Sequence, residues 1–217
     1  ADKFISSLNL FRNNFTTQVD HYDNYAEIFD ACHRVNTILI DLCCDIWLYI
    51  SRNLIIQKIN SDEVGSSAMP HKVNPINFEN AEGNLLLANN LFQFLSRQLP
   101  ISRLQRDLTD STILRNVGLA FGYTFIGIKS LLTGLSKIMP NHEEIERELN
   151  DNYVVIAEGI QTKLKVWGYE NSYEKLKELT RSNTKITREV FDEFIDDLEI
   201  DEEKKEELKK ITPFNYT

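Results

Sequence analysis

Residues 24–59 contain neither glycine nor proline, and within them apolar side chains recur at Ile28, Cys32, Val35, Leu39, Leu42, Ile46 and Tyr49 in alternating steps of four and three. That seam predicts one unbroken α-helix carrying a heptad stripe. At 1.5 Å per residue the helix would run on the order of 50 Å. A compact domain of this size does not need so long a rod for itself. The helix is therefore expected to join a bundle that extends beyond one chain.

Two more helices follow from the same periodicity, from about Glu79 to Leu99 and from about Asp110 to Ile138, the latter striped at Val117, Phe121, Thr124, Ile128, Leu131 and Leu135. Gly118, Gly122, Gly127 and Gly134 lie inside that third pattern. Each costs about 1 kcal/mol of helix stability against alanine, so they are expected to mark close helix–helix contact. Past Lys137-Ile138-Met139-Pro140-Asn141 the predicted helices become shorter and more charged. Asn141 with Glu144 and Asn171 with Glu174 have capping-box spacing, and Gly168 reads as a helix stop. Glu199–Lys210 reads as a solvated helix. No segment shows strand alternation. The predicted fold class is all-α, a long-helix bundle over 1–138 followed by a small helical domain over 139–217.

The formal net charge of −9 argues against nucleic acid as a partner. Ile38–Ile50, the most apolar stretch, is interrupted by Asp41 and Asp45 and is too short to cross a bilayer, so no membrane partner is expected. The N-terminus lacks a signal-peptide layout. Three cysteines, with Cys43 and Cys44 adjacent, suggest no disulfide framework and favour a reducing compartment, the cytoplasm. His21, His33, His71 and His142 are scattered without zinc-ligand spacing, so no metal is expected.

Two segments carry chemistry. The first is Gly65-Ser66-Ser67-Ala68-Met69-Pro70-His71-Lys72-Val73-Asn74-Pro75. Gly65 opens backbone angles closed to other residues, and Pro70 and Pro75 deny the segment regular hydrogen bonding, so a loop is expected. Asn74 is placed as a helix N-cap, Pro75 as the first helical residue, and Glu79 and Glu82 in the first turns, which sets Lys72 and Asn74 at the positive end of the dipole. Composition alone fits a well-capped surface loop. The chemistry fits an oxyanion site in which Lys72, Asn74 and backbone amides hold a carboxylate and Ser66 or Ser67 moves a proton. The second segment sets Arg97, Arg103, Arg106 and Arg115 among Asp107 and Asp110. It reads either as a solvated, salt-bridged connection or as a phosphate clamp suited to arginine's planar donors.

The first segment, its continuation Ile76-Asn77-Phe78-Glu79-Asn80-Ala81-Glu82-Gly83-Asn84-Leu85, and the earlier Thr16-Thr17-Gln18 resemble the signature of the fumarase and aspartase superfamily. With Arg103-Leu104-Gln105-Arg106-Asp107-Leu108-Thr109-Asp110-Ser111-Thr112-Ile113-Leu114-Arg115-Asn116 added, the chain resembles the bacterial-like branch of the adenylosuccinate lyase family. The likeness runs nearly end to end, to Thr212-Pro213-Phe214-Asn215-Tyr216.

The resemblance implies a C–N lyase that releases fumarate from adenylosuccinate and from succinyl-aminoimidazole-carboxamide ribotide, without a cofactor. It implies Ser66 as the base, in a loop that closes over the substrate, and Glu79 as the carboxylate that orients a catalytic histidine. Gln18, Met69, Lys72, Asn74 and Asn80 would contact substrate. Arg106, Ser111, Thr112 and Arg115 would hold the nucleotide phosphate. The general-acid histidine lies upstream of the matched region, and none of the four histidines here takes its place. The chain thus corresponds to about the C-terminal half of the family's enzyme, the upstream half being expected as a companion polypeptide. Family members are homotetramers whose sites draw on three subunits. Another fumarate-releasing lyase (argininosuccinate lyase, fumarase or aspartase) or a non-catalytic helical scaffold are the alternatives.

Overall fold

The computed structural model describes residues 1–58, 74–181 and 186–216. It is built of helices α1 (Asp2–Ser7), α2 (Asp23–Ser51), α3 (Ile76–Gln98), α4 (Thr109–Ile113), α5 (Val117–Ser136), α6 (His142–Asp151), α7 (Ala157–Val166), α8 (Ser172–Arg181), α9 (Arg188–Asp196) and α10 (Glu202–Lys209). Single 3₁₀ turns occur at Arg103–Gln105, Leu114–Asn116 and Tyr153–Ile156. One strand pair, β1 (Ile55–Gln57) with β2 (Ile138–Pro140), departs from the expectation of no strands without changing the all-α class. The chain divides into two compact units, Ala1–Met139 and Pro140–Thr217.

In the first unit α2, α3 and α5 form an antiparallel bundle. Phe29, Phe92 and Phe121 stack at one end with ring centroids 5.1–6.3 Å apart. At the other end Phe78, Ala81, Cys43, Ile46 and Leu131 make a second buried cluster. Between them lies a polar layer. Asn36 Nδ2 donates to Thr124 Oγ1 at 2.9 Å, and Asn89 Nδ2 donates to Thr37 Oγ1 at 3.2 Å. Both amides are buried, and neither amide oxygen meets a donor among the described residues. Such a layer fixes register, because a slid helix would strand its amides in an apolar core.

The long helix ends earlier than its sequence predicted. Asn53 takes a left-handed φ of 60°, with its amide on the Ile50 carbonyl and the Leu54 amide on Tyr49, a Schellman stop built on asparagine. The inward stripe also differs. Phe29, Asn36, Cys43 and Ile46 are buried, whereas Ile28, Val35, Leu42 and Tyr49 of the predicted seam are exposed. The helix carries apolar side chains on two adjoining faces, and α3 and α5 cover only one of them.

Helix α3 starts three residues before the expected Glu79, and its cap is not Asn74. Pro75 occupies the N-cap, Asn74 stands one residue outside, and the Phe78 and Glu79 amides bond the Pro75 carbonyl. Helix α5 packs through small residues. Ala120, Gly127, Leu131 and Gly134 are its buried positions, so Phe121 and Leu135 of the predicted stripe lie on its flank. A Cβ on Gly127 would stand 2.8 Å from Leu85 Cγ, and one on Gly134 would stand 2.8 Å from Phe78 Cζ, the close contact expected of these glycines. Gly118 and Gly122 do not share it, since nothing lies within 4 Å of an added Cβ at either.

By length and composition the tract Thr109–Ser136 could cross a membrane, with an 18-residue window of mean hydropathy 1.3. It is longer than Ile38–Ile50, on which the expectation of no membrane-crossing stretch rested. Its small-residue stripe instead seats it in the bundle.

The second unit gathers α6 to α10 around Tyr153, Ile156, Ile160, Leu164, Leu176, Phe191, Ile195 and Leu208. Asn141 Oδ1 accepts the Glu144 amide at 3.4 Å, the predicted cap of α6. Gly168, at φ +72°, ends α7 in a Schellman turn that joins the Tyr169 amide to the Leu164 carbonyl. Asn171 is left-handed at φ 60°, immediately before α8.

Candidate functional site

The arginine segment is a built turn. Leu104 and Gln105 both adopt left-handed backbone angles, φ 54° and 49°, a conformation that costs a non-glycine residue about 1–2 kcal/mol. Strain of this kind persists where surrounding bonds impose it. The Val19 amide bonds the Gln105 carbonyl at 3.1 Å, tying Gln18 to the turn that presents Arg106. Asp107 holds the turn's other side. Its carboxylate accepts the Arg103 amide (2.9 Å), the Arg103 guanidinium (3.2 Å) and the Thr109 amide (3.2 Å). The Arg103 amide, followed by that of Thr109, keeps the carboxyl below the usual carboxylate range.

Just downstream Asp110 serves as a bracket. Its Oδ2 accepts the Tyr22 hydroxyl at 2.6 Å, and its Oδ1 accepts the Ser111 amide at 2.8 Å. The bond to Asp110, with partial burial, pushes the Tyr22 phenol up to about 12. Ser111 Oγ donates to the Leu108 carbonyl at 2.8 Å, so it must rotate to donate outward. Arg103 is paired with Asp107. Neither Arg106 nor Arg115 has an ion-pair partner among the described residues, and both are exposed on either side of Ser111 and Thr112.

The other end of the bundle holds a second group. Glu79, in the first turn of α3, is exposed, and its Oε1 accepts the indole N–H of Trp47 at 3.0 Å. Asn80 stands beside it, its backbone and side-chain oxygens accepting from Asn84 Nδ2 at 2.8 and 3.3 Å. Asn74 is exposed ahead of the helix. Ser66, Ser67, Met69, His71 and Lys72 lie outside the described residues.

The fold brings Gln18 together with Arg106, Ser111, Thr112 and Arg115, and brings Asn74 together with Glu79 and Asn80. It does not bring the two groups together. Tyr22 precedes α2 and Trp47 lies near its end, so the groups are about 35–40 Å apart at 1.5 Å per residue. The strained turn, the Tyr22–Asp110 bond and Trp47 are not legible in the sequence. The left-handed Leu104 and Gln105 carry no local signal, because neither residue type favours that conformation. Tyr22 and Asp110 are too far apart in sequence to be paired. Trp47 reads as ordinary packing until the register of α2 against α3 is known.

Residues 102–217, more than half of the chain, match the family described as adenylosuccinate lyase, C-terminal. The chain belongs to the adenylosuccinate lyase family. Residues 3–88 match a second family described as lyase. The whole chain is 54% identical to adenylosuccinate lyase of Dictyostelium discoideum and 50% identical to that of Escherichia coli K12, in each case over 47% of the relative. The chain therefore spans about half the length of the curated relatives it matches. A solved structure described as a fumarate lyase, delta crystallin, from Brucella melitensis bound to cobalt shares the fold. Its TM-score is 0.59 at 17% identity, over 85% of this chain and 39% of that one. The helical bundle followed by a family-typical C-terminal region is the architecture predicted above.

Proposed function

We propose that this chain supplies the base, the carboxylate-binding groups and the phosphate clamp of an adenylosuccinate lyase, which eliminates fumarate from adenylosuccinate to give AMP and from succinyl-aminoimidazole-carboxamide ribotide. The observation that carries the reading is the pair of guanidinium groups, Arg106 and Arg115, that have no ion-pair partner among the described residues and flank Ser111 and Thr112 beside the strained turn and the Asp110 bracket. A phosphate-bearing substrate gives them a charge to meet. Fumarase and aspartase substrates offer none.

In the mechanism Ser66 removes a proton from the carbon next to a carboxylate, and charge develops on that carboxylate. Lys72 stabilises it together with Asn74, which stands at the positive end of α3. Ser66 is a poor base in water and depends on loop closure and the local positive potential. Glu79 orients the histidine that protonates the departing nitrogen, and that histidine comes from the other half of the enzyme. Gln18, Met69 and Asn80 contact the substrate. No cofactor takes part.

The separation of the phosphate clamp from the carboxylate group along α2 favours a complete site that combines different copies of the chain. This supports a homotetramer with shared sites, and the free Cys32, Cys43 and Cys44 fit a reducing compartment, the cytoplasm. The exposed Ile28, Val35 and Leu42 on α2 and Phe125 and Leu132 on α5 offer apolar surface for such packing.

The test is fumarate release from adenylosuccinate, followed by absorbance, by this chain combined with the upstream half. Turnover is expected, and Arg106→Ala should raise KM roughly 10- to 100-fold with little change in kcat, the worth of a charge-assisted hydrogen bond. No turnover by the complete, folded enzyme, or an unchanged KM in the variant, would overturn the reading.

A further inference from the structure

We propose that Trp47 is a positioning residue for the elimination, fixing the Glu79 carboxylate so that its second oxygen faces the catalytic histidine. The proposal rests on the role given to Glu79 above. Glu79 is exposed at the start of α3, where a glutamate side chain retains most of its rotamer freedom. A carboxylate that must hold an imidazole in one orientation cannot wander, because a displacement of about 1 Å in such a group costs up to about 100-fold in rate.

The restraint comes from the neighbouring helix. Trp47 lies near the C-terminal end of α2, and its indole Nε1–H reaches Glu79 Oε1 at 3.0 Å. This bond occupies one carboxylate oxygen, and no described residue bonds Oε2. The chemistry of the donor matters as much as its reach. No described lysine, arginine or histidine pairs with Glu79, so none of the described residues neutralises its charge. An indole N–H is neutral and donates a single proton. It orients the carboxylate without quenching the charge that must stabilise an imidazolium. A lysine in its place would hold Glu79 equally well but compete with the histidine for that charge. Indole also turns on only two side-chain torsions, so little freedom is lost when it serves as a strut.

The experiment uses the complete enzyme and the variants Trp47→Phe, Glu79→Gln and both together, with kcat, KM and the pH profile of kcat as readouts. Trp47→Phe keeps the ring and removes the donor. It is expected to lower kcat roughly 10- to 100-fold while KM changes by less than about threefold. The alkaline limb of the kcat profile, where the histidine acid loses its proton, is expected to move to lower pH, since an ill-placed carboxylate holds the imidazolium less well. Glu79→Gln should move that limb further in the same direction, and the double variant should be no slower than Glu79→Gln alone, as expected of two residues acting through one contact. A packing role for Trp47 would move none of the pH limb.

Independently of how any Trp47 variant folds, Glu79→Gln should shift the indole N–H resonance of Trp47 in enzyme labelled at the indole nitrogen. A large loss in Glu79→Gln with wild-type kcat and pH limb in folded Trp47→Phe, or an unmoved indole resonance, would overturn the role of Trp47 and leave that of Glu79 standing. Wild-type kcat in Glu79→Gln would overturn both.

Discussion

Gly122→Ala and Gly134→Ala make the same change on the same helix, and the packing of α5 gives them opposite signs. In a helix interior, replacing glycine by alanine favours the folded state by about 1 kcal/mol. At Gly122 nothing lies within 4 Å of the new methyl group. The gain survives there, and the unfolding midpoint should rise by about 2–4 °C. At Gly134 the methyl would stand 2.8 Å from Phe78 Cζ, 3.0 Å from Phe78 Cε2 and 3.1 Å from Asn77 Cβ. Phe78 is fully buried, so its ring has no solvent to swing into. Overpacking of this kind costs about 1–3 kcal/mol, which cancels or exceeds the propensity gain. A net loss of up to about 2 kcal/mol should lower the midpoint by up to about 8 °C. Thermal unfolding followed by far-ultraviolet circular dichroism, repeated in urea, reads both values. Phe78 immediately precedes Glu79, so Gly134→Ala should also lower kcat while Gly122→Ala should not. If Gly134→Ala proves as stable as Gly122→Ala, the close contact of α3 and α5 is not what holds this end of the bundle.

Tyr22→Phe removes a hydroxyl bonded to Asp110. The phenol's folded pKa of about 12 lies above its ordinary 10.0, so the bond stabilises fully below pH 10 and is lost as pH rises through 12. The variant should cost about 1 kcal/mol in urea at pH 8 and progressively less above pH 10, and a cost independent of pH would refute this. Thr124→Val alone leaves the buried Asn36 amide without its acceptor and should cost about 1–3 kcal/mol, whereas Asn36→Leu combined with Thr124→Val should be nearly neutral in denaturant unfolding.

Fold class was legible because periodicity and helix punctuation are local properties. Gly168 and Asn141 act where the sequence put them, since a left-handed stop and a side-chain cap need only their own neighbours. Asn53 was missed because asparagine ends a helix less often than glycine, and a segment free of glycine and proline looked continuous. The seam on α2 was right at Cys32, Leu39 and Ile46, which face the core, and wrong at Ile28, Val35, Leu42 and Tyr49, because the helix has two apolar faces and a heptad pattern does not say which of them the same chain covers. In the site, Arg106, Ser111 and Glu79 could be singled out by residue type and motif. Tyr22 and Trp47 could not, because their partners lie 88 and 32 residues away and only helix register brings them near.

The polar layer of Asn36, Thr37, Asn89 and Thr124 has a consequence for how such a chain can change over time. With register locked at mid-bundle, the two ends of α2 keep a fixed spacing and a fixed rotation about the helix axis. Losing one residue between Asn36 and Trp47 would draw the indole back by about 1.5 Å and turn it by roughly 100° around the helix, away from Glu79. Substitutions in that interval alter packing locally, but an insertion or deletion re-aims a functional group several turns away. The middle of the bundle is thus freer to vary in composition than in length.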